Sequence, residues 1–426
     1  FLFHFNHKYY NSSKIIKLML LELTIAILLG LLAGTLTGLT PGIHINLIAI
    51  LLLSISTTLL TLTSPITLTI FIIATAITHT FIDYIPSIFL GAPDEDSFLS
   101  ILPGHQLLLK GRAYFAIIFT LYGSLTSLLI ILALTPLFIY ILPTIYPYVT
   151  RIMPLILILT SLYLILTEPN KKLWALIIFT LAGFLGISSL NLNIQQPLLP
   201  LLTGLFGASN LIISIKQKTK IPPQKITKLK NIRLSKTSIA KSTLASIIAA
   251  PFTAFLPGLG ASQAAIIGKQ VTDIQDQREF LFLLGAINTT VMALSFIALY
   301  SIQKTRTGAA VAISKIIPTL TTQNLITIIA TIIITGIFAS IITIQIAKLT
   351  AKNIHKIKYS KLSKIIIIIL LIITLIFSDP TLQGKILSLL LFTTATSLGI
   401  LTILIGTKRM HLMGALLVPT ILFYMF

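Results

Sequence analysis

The sequence has no cysteine, one tryptophan and only ten acidic residues among 426. Without cysteine there is no disulfide, no thiolate metal site and no Cys nucleophile. Charged residues make up 10% of the chain, against roughly 25% in a soluble domain. A soluble chain so poor in charge cannot cover its own surface, so a bilayer must take the place of water. The sequence also lacks HExxH, G-x-S-x-G and any phosphatase-like Arg/His cluster, the usual marks of an intramembrane enzyme. No filter segment recurs as it would in a single-file channel.

What is present is apolar and basic. Hydrophobic residues make up 55%, the mean hydropathy is +1.00, and 31 Lys and Arg give a net charge of +21. On a soluble protein that charge would suggest nucleic acid, but no basic domain interleaved with aromatics exists here. The basic residues sit between apolar runs, as they do in cytoplasmic loops facing anionic lipid. Apolar runs long enough to span lie near 20–39, 43–62, 66–90, 113–142, 152–168, 172–190, 197–215, 238–256, 281–301, 322–347, 363–378, 386–406 and 411–426. Some of these are half-helices or re-entrant. The expected fold is an all-α, multi-pass membrane protein with about ten to twelve crossings. Residues 1–18 read as a polar, aromatic tail, and Met19 opens the first apolar run as a natural start would. No small-residue cleavage site follows, so the tail is not a cleavable signal peptide.

Nine Lys/Arg fall in 216–241 and six in 348–364. The positive-inside rule places both stretches in the cytoplasm. The first contains Pro222 and Pro223 and reads as a linker between two halves, 19–215 and 242–426. TGLTPGIHIN (37–46) and TAFLPGLGAS (253–262) each place a Pro-Gly pair inside an apolar run, 216 positions apart. At that offset Lys110 and Arg112 fall on Ile326 and Ile328, and the basic loop 348–364 falls on uncharged 132–148. A loop charged in one half and neutral in the other is expected of inverted-topology repeats.

The Pro-Gly pairs free backbone groups at membrane depth, and the half-helix that follows each break aims a positive dipole end at the space beyond. Pro41, Gly42, His44 and Asn46, with Pro257, Gly258, Gly260, Ser262 and Gln263, are therefore candidates to bind an anionic ligand. A simple Pro kink is the alternative at either break. His44 is a candidate for proton coupling or ligand contact, or is a neutral imidazole satisfied by a freed carbonyl. Asp94, Glu95 and Asp96, with Ser97, follow a Gly-Ala-Pro break. They either hold a coupling cation, pair with basic groups, or cap a helix. At the 216 offset the second half supplies KTRTGAA, in which Lys304 and Arg306 are the only charges between Glu279 and Lys315. They face the acids or the ligand's anionic group, or they are ordinary interface cations. Asp83 is either embedded and functional or close to an interface.

GLTPGIHINL and FLPGLGASQAA, with IPSIFLGAPDEDS and LPGHQLLLKGRA, resemble the permease subunit of tripartite tricarboxylate transporters, the TctA type, and within it the archaeal branch. Gly104, Gly111 and Ala113 keep part of the family's G-x-x-x-x-x-G-x-A stretch. The resemblance spans most of 20–310. It implies a large membrane subunit moving organic anions across the cytoplasmic membrane, with a small membrane partner and an extracytoplasmic solute-binding protein. The expected partners are thus the lipid bilayer, those two subunits and an anionic solute, with no nucleic acid. No cofactor is implied beyond a coupling Na+ or H+. Where the family has small hydroxyl residues, this chain has Asp94, Glu95 and Asp96, and like charges repel strongly in a low dielectric. A lipid-carrier translocase flipping a polyprenyl phosphate is the alternative reading, since paired breaks with basic groups also suit a phosphate head. Arg306→Gln is expected to abolish uptake in proteoliposomes without loss of folded protein, and unchanged uptake would remove Arg306 from the site.

Overall fold

The computed structural model describes residues 2–40, 45–54, 56–91, 99, 101–216, 221–255, 261–305, 307–356 and 358–425. Side chains at 2–16, 46, 47, 50, 51, 54, 101, 102, 252, 254, 255, 262, 263 and 359 lie outside the description. The described residues form helices and connecting loops, with no strand among them. In chain order the α-helices are α1 (Leu2–Leu39), α2 (Ile45–Ser54), α3 (Ser56–Leu59), α4 (Pro65–Ile82), α5 (Tyr84–Leu90) and α6 (Ile101–Leu109). Then come α7 (Ala113–Leu166), α8 (Lys172–Asn191), α9 (Leu198–Leu202), α10 (Ser209–Lys216), α11 (Lys236–Phe255) and α12 (Ala261–Val271). The last six are α13 (Gln277–Ile302), α14 (Gly308–Ile316), α15 (Thr322–Asn353), α16 (Tyr359–Phe377), α17 (Leu382–Ile405) and α18 (Gly414–Met425).

Among the described residues nine helical stretches are long and apolar enough to cross a membrane. One of them, α7, has 54 residues, about 80 Å at the α-helical rise, against a hydrocarbon core of about 30 Å. Gln106, just before α7, and Thr167, just after it, line the same cavity. The helix therefore doubles back, and the bend falls in the stretch carrying Pro136, Pro143, Pro147 and Pro154, where each proline removes a ladder donor. The sequence-level runs 113–142 and 152–168 are the two arms. Within the run 43–62 the described residues 45–54 and 56–59 are helical, and a turn follows that ends at the Ser64 cap of α4. Upstream, α1 begins at Leu2, so the polar tail continues the first helix rather than standing apart from it.

Two stretches form the centre. In the most apolar window of α4–α5, 83% of residues are buried, and in that of α13, 94%, against 22% to 44% in the other helices except the Leu198–Lys216 stretch. The peripheral helices turn Leu and Ile outward, for example Leu28, Leu32, Ile372 and Leu390. The β-branched Thr residues do not break these helices, because their hydroxyls donate to carbonyls one turn back. Thr75 to Phe71, Thr78 to Ala74 and Thr343 to Ala339 are instances at 2.7–2.8 Å.

Helices α1 and α4 run side by side in one direction. Gly30 lies against Ala74, Gly34 against Thr78 and Gly38 against Ile82, a stripe of small residues four apart that lets two backbones approach. At α11–α13, Ser238 and Ser242 donate to the Glu279 carboxylate and carbonyl, so these helices begin together. Between α11 and α12, Ala245 backs onto Gly268, and Lys241 donates to the Asp273 carbonyl. That pair is a hairpin closed at the end where α11 starts. Around the centre, Ser124 donates to Gly285 and Ser301 to Ile139, so the first arm of α7 runs along α13.

The linker is a strap rather than a loose tether. Lys225 donates to Gly111 at 2.8 Å, and the Gln224 side chain accepts from the Ala113 amide and donates to Leu108. Loops 192–197 and 378–381 meet at the other end of α8 and α16. There the Asp379 carboxylate accepts from Thr381 and Gln195, and the Thr381 hydroxyl bond, first among these, holds it below the usual carboxylate range.

A side chain at Gly34 would put its Cβ 2.6 Å from that of Thr78, so Gly34→Leu must push α1 off α4. Overpacking of this kind costs about 1–3 kcal/mol. The expected result is a lower melting temperature in detergent, whereas Leu32→Phe, an enlargement on the exposed face of the same helix, leaves it in place.

Candidate functional site

Two polar regions interrupt the apolar interior. The first lies where α1, α4 and α13 cross. His79 is buried in the last turn of α4, and Thr37 near the end of α1 bonds its Nδ1 at 3.2 Å. One turn on, buried Asp83 accepts from Asn288 Nδ2 of α13 at 2.9 Å, and Thr80 pairs with Thr289 at 3.1 Å. A carboxylate among spanning helices is rare because its charge is costly there. Here a charge-assisted bond across two central helices offsets part of that cost.

The second region is a cavity of about 520 Å³. It lies between α12, the segment around α6, the second end of α7, and the short 3₁₀ turn Arg409–Met413 that precedes α18. Lys269 of α12, Lys408 and Arg409 face it, and among the described residues Asp273 is the one carboxylate of its lining. Gln106, Gln270, Gln275 and Gln277 add neutral amides. Lys269 sits 5.2 Å over the Phe280 ring. Burial lowers its pKa below the ordinary lysine value, and the Lys408 charge acts the same way against the opposing pull of Asp273. Asp276, the N-cap of α13, is bonded by the Arg278 side chain, which first of all holds its carboxyl below the usual range. It stays ionised and engaged.

Arg409 is held from behind. The chain between α9 and α10, Thr203–Ala208, is π-helical, and such a stretch leaves carbonyls off the regular ladder. The guanidinium donates to Phe206 at 2.7 Å and to Leu205 at 3.4 Å, and stacks 5.5 Å from the Phe206 ring. Lys408 is half exposed and 3.9 Å from buried Glu168. Burial first, and then the Arg409 charge, push His105 of α6 below the ordinary imidazole range.

Residues 24–414 match the profile of the tripartite tricarboxylate transporter TctA family. The chain belongs to that family. It is also 32% identical over 406 residues to an uncharacterised protein of Methanocaldococcus jannaschii, covering 94% of this chain and 98% of that one. No solved structure matches it. This TctA-family protein is thus a multi-pass membrane protein of a transporter family, and its fold gives the family stretch a physical reading. A side chain at Gly104 would meet Ile88 of α5, Gly111 has φ +72 against the Pro223 carbonyl, and Ala113 donates its amide to Gln224.

Of the residues singled out from sequence, Pro41, Gly42, His44, Asp94, Glu95, Asp96, Ser97, Pro257, Gly258, Gly260 and Arg306 lie outside the described residues. Asn46 stands on α2, and Ser262 and Gln263 on α12, with their side chains outside the description. Asp83 is buried in the protein interior, between α4 and α13. Lys304 is exposed just past the end of α13, while the cavity takes Gln277 and Phe280 from that helix's start. Sequence reasoning missed His79, Lys269, Lys408, Arg409, Glu168 and His411. His79 and Asp83, four apart in an apolar run, were the one legible signal among them.

Asp83→Leu strands the buried Asn288 amide, which costs about 1–3 kcal/mol. Adding Asn288→Leu is expected to restore part of the lost thermal stability. A double-mutant cycle by melting in detergent measures the coupling, and strictly additive losses would mean that the bond contributes nothing.

Proposed function

We propose that this chain is the large permease subunit that carries a carboxylate-type anion across the cell's cytoplasmic membrane. The observation that carries the reading is the cavity whose described lining holds Lys269, Lys408 and Arg409 against one carboxylate, with four glutamines as donors. Its volume suits a small molecule, since such sites run to about 300–1,000 Å³. Cations with neutral amides favour carboxylates by charge and by hydrogen bonding together. The half-helix α12 contributes Ile266, Lys269 and Gln270, and the segment after the acidic motif contributes Leu99, Pro103 and Gln106. The cavity thus draws on the stretch that follows a break in each half.

Supporting the two inverted repeats, 19–215 and 242–426, is the recurrence of elements at the 216-residue offset. Residues 45–54 of α2 fall on 261–270 of α12, and 65–86 of α4–α5 fall on 281–302 of α13. The linker and the loops around 110, 171, 273 and 408 gather at the cavity end, which by the positive-inside rule is cytoplasmic. The sequence candidates at the two Pro-Gly breaks remain candidates to bind the anion. Asp83 and the acids 94–96 are the intramembrane candidates to hold a coupling Na+ or H+. A small membrane subunit and an extracytoplasmic binding protein complete the assembly.

Proteoliposomes loaded against succinate, tricarballylate and an isoprenoid phosphate, under proton or sodium gradients, test this. Uptake of a carboxylate is expected, with about tenfold weaker apparent affinity in Lys269→Gln, the loss of roughly one charge contact. Movement of the isoprenoid phosphate alone would favour the lipid-carrier reading instead.

A further inference from the structure

Behind the cavity wall lies a titratable pair that the anion reading does not use. His411 is completely buried, and its Nε2 lies 2.9 Å from Oε2 of Glu168, itself 3% exposed. The other carboxylate oxygen accepts from the Lys408 amide at 3.2 Å, and the Lys408 ammonium stands 3.9 Å from Oε2 while also donating to Thr167. The imidazole Nδ1 is buried and makes no hydrogen bond to any described residue. A 2.9 Å contact requires one proton between Nε2 and Oε2; a glutamate facing a neutral imidazole in its Nε2–H tautomer meets that requirement and leaves Nδ1 as a bare acceptor able to take a second proton. One side chain, Lys408, belongs both to this pair and to the cavity lining.

We propose that Glu168 and His411 form a substrate-linked proton site. The pair takes up one proton, on Nδ1, when an anion occupies the cavity, and releases it when the anion leaves. This rests on the cavity being the anion site. The groups around the pair explain the sign. Lys408 and Arg409 flank it on its own loop, and Lys171 and Lys172 stand at the start of α8. Lys269 of α12 and Tyr163 of α7 lie across the cavity, with His105 of α6 beside Arg409. Among the described residues the charge around the pair is mostly positive, with Glu168 itself, Asp273 and the Arg278-bonded Asp276 as the exceptions, so an added proton is repelled while the cavity is empty. An anion drawn to Lys408 and Lys269 cancels that repulsion and leaves Glu168 to pair with an imidazolium. Linkage makes the effect reciprocal: whatever the anion does for proton affinity, the proton does for anion affinity. The pair therefore couples anion to proton at the cytoplasmic end of the path, separately from any ion carried at Asp83.

The test is calorimetric titration of the full-length purified protein with succinate and tricarballylate at a pH of about 7.5, where both ligands are fully ionised. Buffers of different ionisation enthalpy then report protons taken up per anion. The expected result is uptake approaching one proton per anion in the wild type. It should be lost in Glu168→Gln, which keeps the shape and hydrogen-bonding reach of the side chain, and in His411→Gln. Wild-type affinity should strengthen up to about tenfold per unit of falling pH, and the Glu168→Gln profile should be flat. If His411→Gln fails to fold, Glu168→Gln decides alone, with its melting temperature as the control. Anion binding without proton uptake, or uptake unchanged in Glu168→Gln, overturns the proton site and leaves the anion site standing. Binding of neither carboxylate overturns the anion reading, and this proposal with it.

Discussion

A peptide group placed in hydrocarbon has no water to bond, and each one left unsatisfied costs several kcal/mol. That constraint accounts for the long helices and for the back-bonded threonines, which hide their own hydroxyls within the helix that carries them. It also explains how the π-helical stretch Thr203–Ala208 is accommodated. Its carbonyls are met by the Arg409 guanidinium, and that contact in turn fixes a cation at the wall of the cavity. A backbone irregularity in one helix and a charged side chain some 200 residues later thus satisfy each other.

The lipid also removes the usual driving force for helix association, because tails are as apolar as leucine. Close packing has to supply it. The stripe Gly30, Gly34 and Gly38 brings α1 onto α4, and Gly123 with Gly285 brings the first arm of α7 onto α13. Those contacts set the burial of α4 and α13, and so the depth at which Asp83, His79 and Asn288 lie. The polar crossing is tolerated because its members bond one another across the same interface that the glycines close.

Charge is treated differently at the cavity. There half-exposed cations face a space that water can reach, so Lys269 and Lys408 keep part of their hydration while their field remains strong. Glu168 and His411 sit one layer behind and feel that field without facing the space directly. Separating an exposed cationic wall from a buried titratable pair allows a bound anion to be sensed as a change in potential. No movement of the helices is needed for it.

Composition and run length by themselves determined that the chain is helical and crosses a membrane, because the cost of burying a backbone depends only on local sequence and solvent. They also marked the basic linker and the breaks, since proline, glycine and clustered lysine act where they stand. Sequence alone could not decide that the apolar runs 113–142 and 152–168 are joined in one helical stretch, α7, nor that Thr203–Ala208 is π-helical. Both depend on which neighbouring helix covers the freed groups. The pairing of Glu168 with His411, and the meeting of Lys269 with Lys408, were invisible for the same reason. A lysine on α12, a glutamate after α7 and a histidine before α18 carry no pattern until tertiary packing brings those segments to one end of the bundle.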